Sequence, residues 1–137
     1  MDLRSLVAPR IVVHAHCDIP CGIYDPTAAK VAADTVAKMV EKITGAAATT
    51  DTANRNTFIR SVAVKEEHAQ ICKKELLILW TDYFKPEHLE KYPKLHETFW
   101  KAAKLCSKNK QNVDAAAAAE LQAAVKEISD IFWATKK

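Results

Sequence analysis

The chain has 137 residues, a length that suits one domain with a sizeable core. Twenty Lys and Arg face 17 Asp and Glu, so the net charge of +3 is no nucleic-acid footprint. No apolar run approaches the roughly 20 residues needed to cross a membrane as a helix, so neither nucleic acid nor membrane is an expected partner.

Residues 1–15 carry no clear period, and Pro9 and Arg10 interrupt them. Val13-His14-Ala15 loosely resembles a signal-peptidase site, but Ile11-Val12-Val13 is too short for an export core. The next stretch, His16-Cys17-Asp18-Ile19-Pro20-Cys21-Gly22-Ile23-Tyr24-Asp25-Pro26, packs an imidazole and two thiols into six residues. Thiolate and imidazole are ligands for soft and borderline transition metals. Pro20 denies this stretch a helix, Ile19 before it is pushed toward extended geometry, and Gly22 permits a turn. The segment therefore reads as a hook able to turn both sulfurs toward one point. On spacing alone, a labile disulfide or two unrelated thiols are equally open readings. A four-ligand zinc site would need a second Cys/His pair at recognisable spacing, which the sequence lacks.

Asp25 and Pro26 form a start signal, with Asp25 as N-cap and Pro26 at the first helical position. Ala32, Val36, Met39, Val40 and Ile43 then repeat at helical spacing up to a stop at Gly45. Residues 46–53 read as a loop that caps the next helix. A long second helix is predicted over 54–83, with Val62, Ala69, Cys72, Leu76, Leu79 and Tyr83 as its seam. Leu76-Leu77-Ile78-Leu79-Trp80 is apolar on every side, which suits a deep core or a subunit contact. Pro86 ends this helix, and 84–93 reads as a surface connection. A third helix is predicted over 93–108, with Leu95, Phe99, Ala102 and Cys106 inward. A polar turn follows over 109–113. Asp114 caps a fourth helix whose inner stripe is Ala117, Leu121, Ala124, Val125, Ile128, Ile131 and Phe132. Cys72 and Cys106, each alone inside a helical pattern, read as buried structural cysteines. The fold class is all-α, an antiparallel four-helix bundle with an N-terminal metal-binding hook.

Three blocks carry a family resemblance. The run His16 to Pro26 resembles the nickel hook of the nickel-containing superoxide dismutases. Trp80-Thr81-Asp82-Tyr83-Phe84-Lys85-Pro86, followed by His88-Leu89-Glu90-Lys91-Tyr92-Pro93, is similar to that family's internal signature. The ending Ile131-Phe132-Trp133-Ala134-Thr135-Lys136-Lys137 is similar as well.

The resemblance implies an enzyme that disproportionates superoxide to oxygen and hydrogen peroxide, using one nickel ion per subunit. It implies that residues 1–15 are a leader removed by a processing protease, with His14 discarded, and that His16 becomes the N-terminus of a working domain over 16–137 (hook 16–24, bundle 25–137). The implied metal ligands are His16, Cys17 and Cys21. The His16 amine, the Cys17 backbone nitrogen and the two thiolates would form a plane, with the His16 imidazole as an axial fifth donor. Such N/S donors point to nickel or copper rather than zinc. Tyr24 would cap the open side, its hydroxyl holding water or peroxide. Asp18 would shape the hook or deliver protons. Tyr83 and Lys85 would stand near the entrance, where Lys85 attracts an anionic substrate or is simply a solvated lysine. A homohexamer is implied, with each hook wedged among neighbouring bundles. In several members a glutamate and an arginine orient the axial histidine. Ala32 and His68 occupy those positions here, so either another group, His68 among the candidates, orients His16, or its imidazole is held less tightly and His68 is a plain exposed helix residue. His88 and His96 read as non-ligands.

Two other classes compete: a non-catalytic nickel or copper carrier, and a thiol-redox module pairing Cys17 with Cys21. The peptide bond Ala15–His16 separates them, since only the five-donor nickel site needs a new N-terminus there. Few cysteines and no clear export core favour a cytoplasmic location.

Overall fold

The computed structural model describes residues 23, 25–46 and 51–136. They form five α-helices: α1 (Thr27–Gly45), α2 (Thr52–Ile78), α3 (Pro86–Lys91), α4 (Leu95–Gln111) and α5 (Ala115–Thr135), with a π-helical turn over Leu79–Tyr83. No strand occurs among the described residues.

An aspartate stands at the start of three of the helices. The Asp25 carboxylate accepts the Thr27 N–H at 2.7 Å, but the first helical bond runs from Lys30 to the Pro26 carbonyl, so the N-cap of α1 is Pro26 rather than the expected Asp25 and the helix starts at Thr27. Asp51 caps α2 through the Asn54 N–H at 3.2 Å, so this helix begins two residues before the expected 54. Asp114 accepts from Ala116 and Ala117 at 2.9 and 3.1 Å and starts α5.

Four of the helices close a ring. The loop between α1 and α2, and Asn112–Asp114 between α4 and α5, are short, so these partners run in opposite directions. Cross-helix pairs give the register. Gln122 on α5 donates to Asp34 on α1, Thr98 on α4 to Glu127 on α5, and the Trp80 indole beyond α2 to His96 on α4. Between α1 and α2, Met39 and Lys42 share a groove with Thr57, Arg60 and Val64. The core holds Ala29, Ala32, Val36, Cys72, Leu76, Phe99, Cys106, Leu121, Ile128 and Phe132 among others. The antiparallel four-helix bundle is thus the observed architecture, with α3 as an added short helix.

Four expectations need correcting. The connection 84–93 is not plain surface loop, because Pro86 starts α3 there: it supplies a preset φ at a position whose N–H needs no partner. The second helix stops being α-helical at Ile78; the Phe84 N–H reaches back five residues to the Leu79 carbonyl at 3.1 Å, and Phe84 turns extended. Leu77, inside the run read as apolar on every side, is 38% exposed, while Leu76 and Leu79 are buried. The third helix runs to Gln111 rather than Lys108, and Asn109, expected in a polar turn, is fully buried. The reason for this last difference is Lys65. Its ammonium enters from α2 and donates to the carbonyls of Asn109, Lys110 (2.9 Å) and Asn112 (3.0 Å), satisfying the end of α4. Desolvation pushes the Lys65 pKa down, and the neighbouring Glu66 carboxylate opposes that.

Candidate metal centre

His16, Cys17, Asp18, Cys21 and Tyr24 lie outside the described residues. Among the described residues, no group of three or more His, Cys, Asp or Glu side chains is arranged to hold a metal ion. What the structure does establish is the end of the bundle from which the hook segment departs. Asp25 and the buried Pro26 mark the start of α1, and the antiparallel register brings the end of α5 to that same end: Lys30, Ala33 and Asp34 line a groove with Val125, Lys126, Ser129 and Asp130. The end of α2 and the start of α4 meet there too, through Trp80 and His96.

The second and third resemblance blocks, some 50 residues apart in sequence, meet at this end. The Tyr83 hydroxyl lies 2.7 Å from Thr135 Oγ1. Thr135 spends its one proton on the Phe132 carbonyl at 2.6 Å, so Tyr83 is the donor of the pair and its oxygen keeps its acceptor capacity. The Tyr83 ring packs 4.4 Å from Phe132 and stacks on His88 at 5.8 Å and 11°. The Lys136 ammonium sits over the Tyr83 ring at 4.9 Å and the Phe132 ring at 5.4 Å. Phe84 meets Tyr83, His88 and Phe99 edge to face. Thr135 and Lys136 carried no role in the sequence beyond their place in the third block, and Phe132 only that of a core residue. Only topology relates them to Tyr83.

The remaining candidates fall into place by their hydrogen bonds. His88 Nδ1 accepts the Lys85 N–H at 3.0 Å while the Lys85 carbonyl accepts from the His88 N–H, which fixes the start of α3 and leaves Nδ1 without a proton. Lys85 itself is exposed at that start. His96 Nδ1 accepts the Trp80 indole N–H at 2.6 Å. His68, half-buried on α2, is bonded through Nδ1 to the Val64 carbonyl of its own helix at 3.0 Å, which requires the proton on Nδ1. Ala32 is buried in the core and offers no polar group.

Comparison with known proteins agrees with this arrangement. The family model of nickel-containing superoxide dismutase matches residues 11–136. The chain is similar to the superoxide dismutase [Ni] of Streptomyces seoulensis, 42% identical over 135 residues and 98% of both chains. Its similarity to that of Streptomyces coelicolor is 40% identity over the same share of each. The native nickel superoxide dismutase structure superposes with a TM-score of 0.77 at 38% identity, covering 89% of this chain and all of that one. With a matching family model along nearly its whole length and the same bundle, the chain belongs to the nickel-containing superoxide dismutases.

Proposed function

We propose that the protein disproportionates superoxide to oxygen and hydrogen peroxide with nickel held by the hook His16, Cys17 and Cys21. The observation that carries this reading is the donor set, which lies within the family match over 11–136. Two thiols with an imidazole, and an amine once His16 is freed, suit nickel or copper better than a hard cation. When bound, nickel supplies the one-electron redox chemistry that takes an electron from one superoxide and returns it to another.

The chain's own residues supply the rest. The Cys17 and Cys21 thiolates and the His16 amine and imidazole hold the ion. Tyr24 holds water or peroxide through its hydroxyl, and Asp18 shapes the hook or delivers a proton. Lys85, exposed at the start of α3, attracts the anionic substrate. Ala32 is apolar and the His68 Nδ1 proton is spent on Val64, so any contribution of His68 to orienting the His16 ring is made through Nε2.

Removal of residues 1–15 frees the His16 amine. In support, the curated relative matches 98% of this chain, whereas the solved native structure is matched completely by 89% of it; the remainder is about the length of such a leader. A homohexamer rests on the family resemblance, and exposed apolar side chains such as Ile59 and Trp100 are available for subunit contacts. No helix among the described residues is long and apolar enough to cross a membrane, and the lack of an export core favours the cytoplasm.

The test is a protein beginning at His16, loaded with nickel and assayed for superoxide removal beside Cys17→Ser and Cys21→Ser. Nickel-dependent activity that needs both thiols is expected. Tight nickel binding without turnover would replace this reading with that of a carrier.

A further inference from the structure

The two cysteines outside the hook face each other. Cys72 on α2 and Cys106 on α4 are fully buried, at 0% and 1% exposure, in the same core. The register of these helices brings them opposite one another. On one side Lys65 bonds the end of α4, and on the other Trp80 bonds His96 near its start. The residues immediately after the two cysteines, Lys73 and Ser107, are themselves hydrogen-bonded at 3.0 Å. Both are free thiols, and nothing in the proposed dismutase chemistry uses them.

We propose that Cys72 and Cys106 are a peroxide-oxidisable pair that closes to a disulfide and staples α2 to α4. The oxidant is hydrogen peroxide, which rests on the dismutase reading only for its source. Cys106 is the attacking sulfur: its thiolate displaces hydroxide from peroxide, becoming a sulfenic acid, and the hydroxide takes a proton to leave as water. Cys72 then attacks that sulfur and a second water leaves. In sum, two thiols lose two hydrogens, one O–O bond breaks, and one S–S bond forms with two waters. The roles follow from the surroundings. The neighbouring Cys72 thiol and the Lys73 ammonium, which bonds the adjacent Ser107, hold the Cys106 pKa down against burial. The Cys72 pKa is raised by the neighbouring Cys106 and by burial, so it stays a thiol until the sulfenic acid forms.

A cross-link between these helices restricts the unfolded chain, so the oxidised protein melts higher. The experiment adds reagent hydrogen peroxide to the protein as purified, traps free thiols, and maps peptides by mass spectrometry. A Cys72–Cys106 cross-linked peptide two hydrogens lighter than its parts is expected, with a melting temperature raised by about 5 °C and reversed by reductant. Cys106→Ser and Cys106→Ala should show neither the cross-link nor the shift, while a helical circular-dichroism spectrum confirms that they fold. Recovery of Cys72 and Cys106 as separately alkylated thiols, under peroxide that oxidises Cys17 and Cys21, would overturn the proposal. So would either residue paired elsewhere. Because peroxide is supplied directly, failure of the dismutase reading would show only as lost superoxide removal and would leave this readout intact.

Discussion

Lys65 and Asn109 meet in the core, 2% and 0% exposed, with the lysine ammonium donating to the asparagine carbonyl. Asn109 in turn donates through Nδ2 to the Leu105 carbonyl at 3.0 Å and the Ala117 carbonyl at 2.9 Å. Together the two residues join α2, α4 and α5 around the end of α4. A buried ammonium is costly to desolvate, and this one is tolerated because three carbonyls at the negative end of a helix receive it.

Lys65→Met keeps the apolar stem and removes the donors. Three carbonyls at the end of α4 then lose their partner in a site with little access to water. The expected cost is about 2–4 kcal/mol of unfolding free energy. Urea unfolding followed by circular dichroism measures it. A variant as stable as the parent would mean that water replaces the ammonium at no cost.

This pair also marks what the sequence could not disclose. The helical period of Ala32, Val36, Val40 and Ile43, and of Leu121, Val125, Ile128 and Phe132, is local and was legible; all of these are buried. The cap Asp114 was legible for the same reason, and the start signal Asp25-Pro26 placed α1 to within a residue. Lys65 and Asn109 are polar residues 44 positions apart, and no local pattern separates them from solvated ones. α3 was hidden because Pro86 was read as ending a helix, when the same missing N–H lets it begin one. At the end of the bundle where α1 starts, Tyr83 was singled out by resemblance, but its bond to Thr135 spans 52 residues and exists only through the packing of α5.

Asp114 gives a pH signature. Hydrogen bonds from the Ala117 and Ala116 N–H groups, aided by Lys108, hold its carboxyl below the ordinary aspartate value of 3.8. A depressed folded-state pKa means stability fully present above the unfolded value and lost as pH falls through the folded one. The parent should therefore lose more stability on acidification below pH 3.8 than Asp114→Ala, which is less stable at neutral pH from the outset. Melting temperatures of both proteins from pH 7 to pH 2 test this. Parallel curves would show that the cap carries no proton linkage.

Lys85 is tested by its charge rather than its shape. It is exposed, so Lys85→Glu should leave the fold intact while reversing the local field met by an anion. The expected result is a roughly three-fold or greater fall in kcat/KM at low ionic strength, with the gap to the parent closing as salt is added. An unchanged rate and salt dependence would assign Lys85 to the solvated surface.

The bond Ala15–His16 separates the enzyme from its competitors most sharply. In the uncut chain the nitrogen of His16 is an amide, a poor donor, whereas in a chain beginning at His16 it is an amine. Protein with residues 1–15 still attached should therefore take up nickel weakly and remove superoxide at background rate, and trimming to His16 should restore both. Blocking the new amine by acetylation should abolish activity again without altering the helical spectrum, because the bundle from Asp25 onward is capped and packed independently of that nitrogen. Intact mass, nickel content and superoxide removal on the same three samples decide it. Full activity with the leader attached would remove the need for a new N-terminus. The hook donors the reading still requires would then be the Cys17 and Cys21 thiolates, the Cys17 backbone nitrogen and the His16 imidazole.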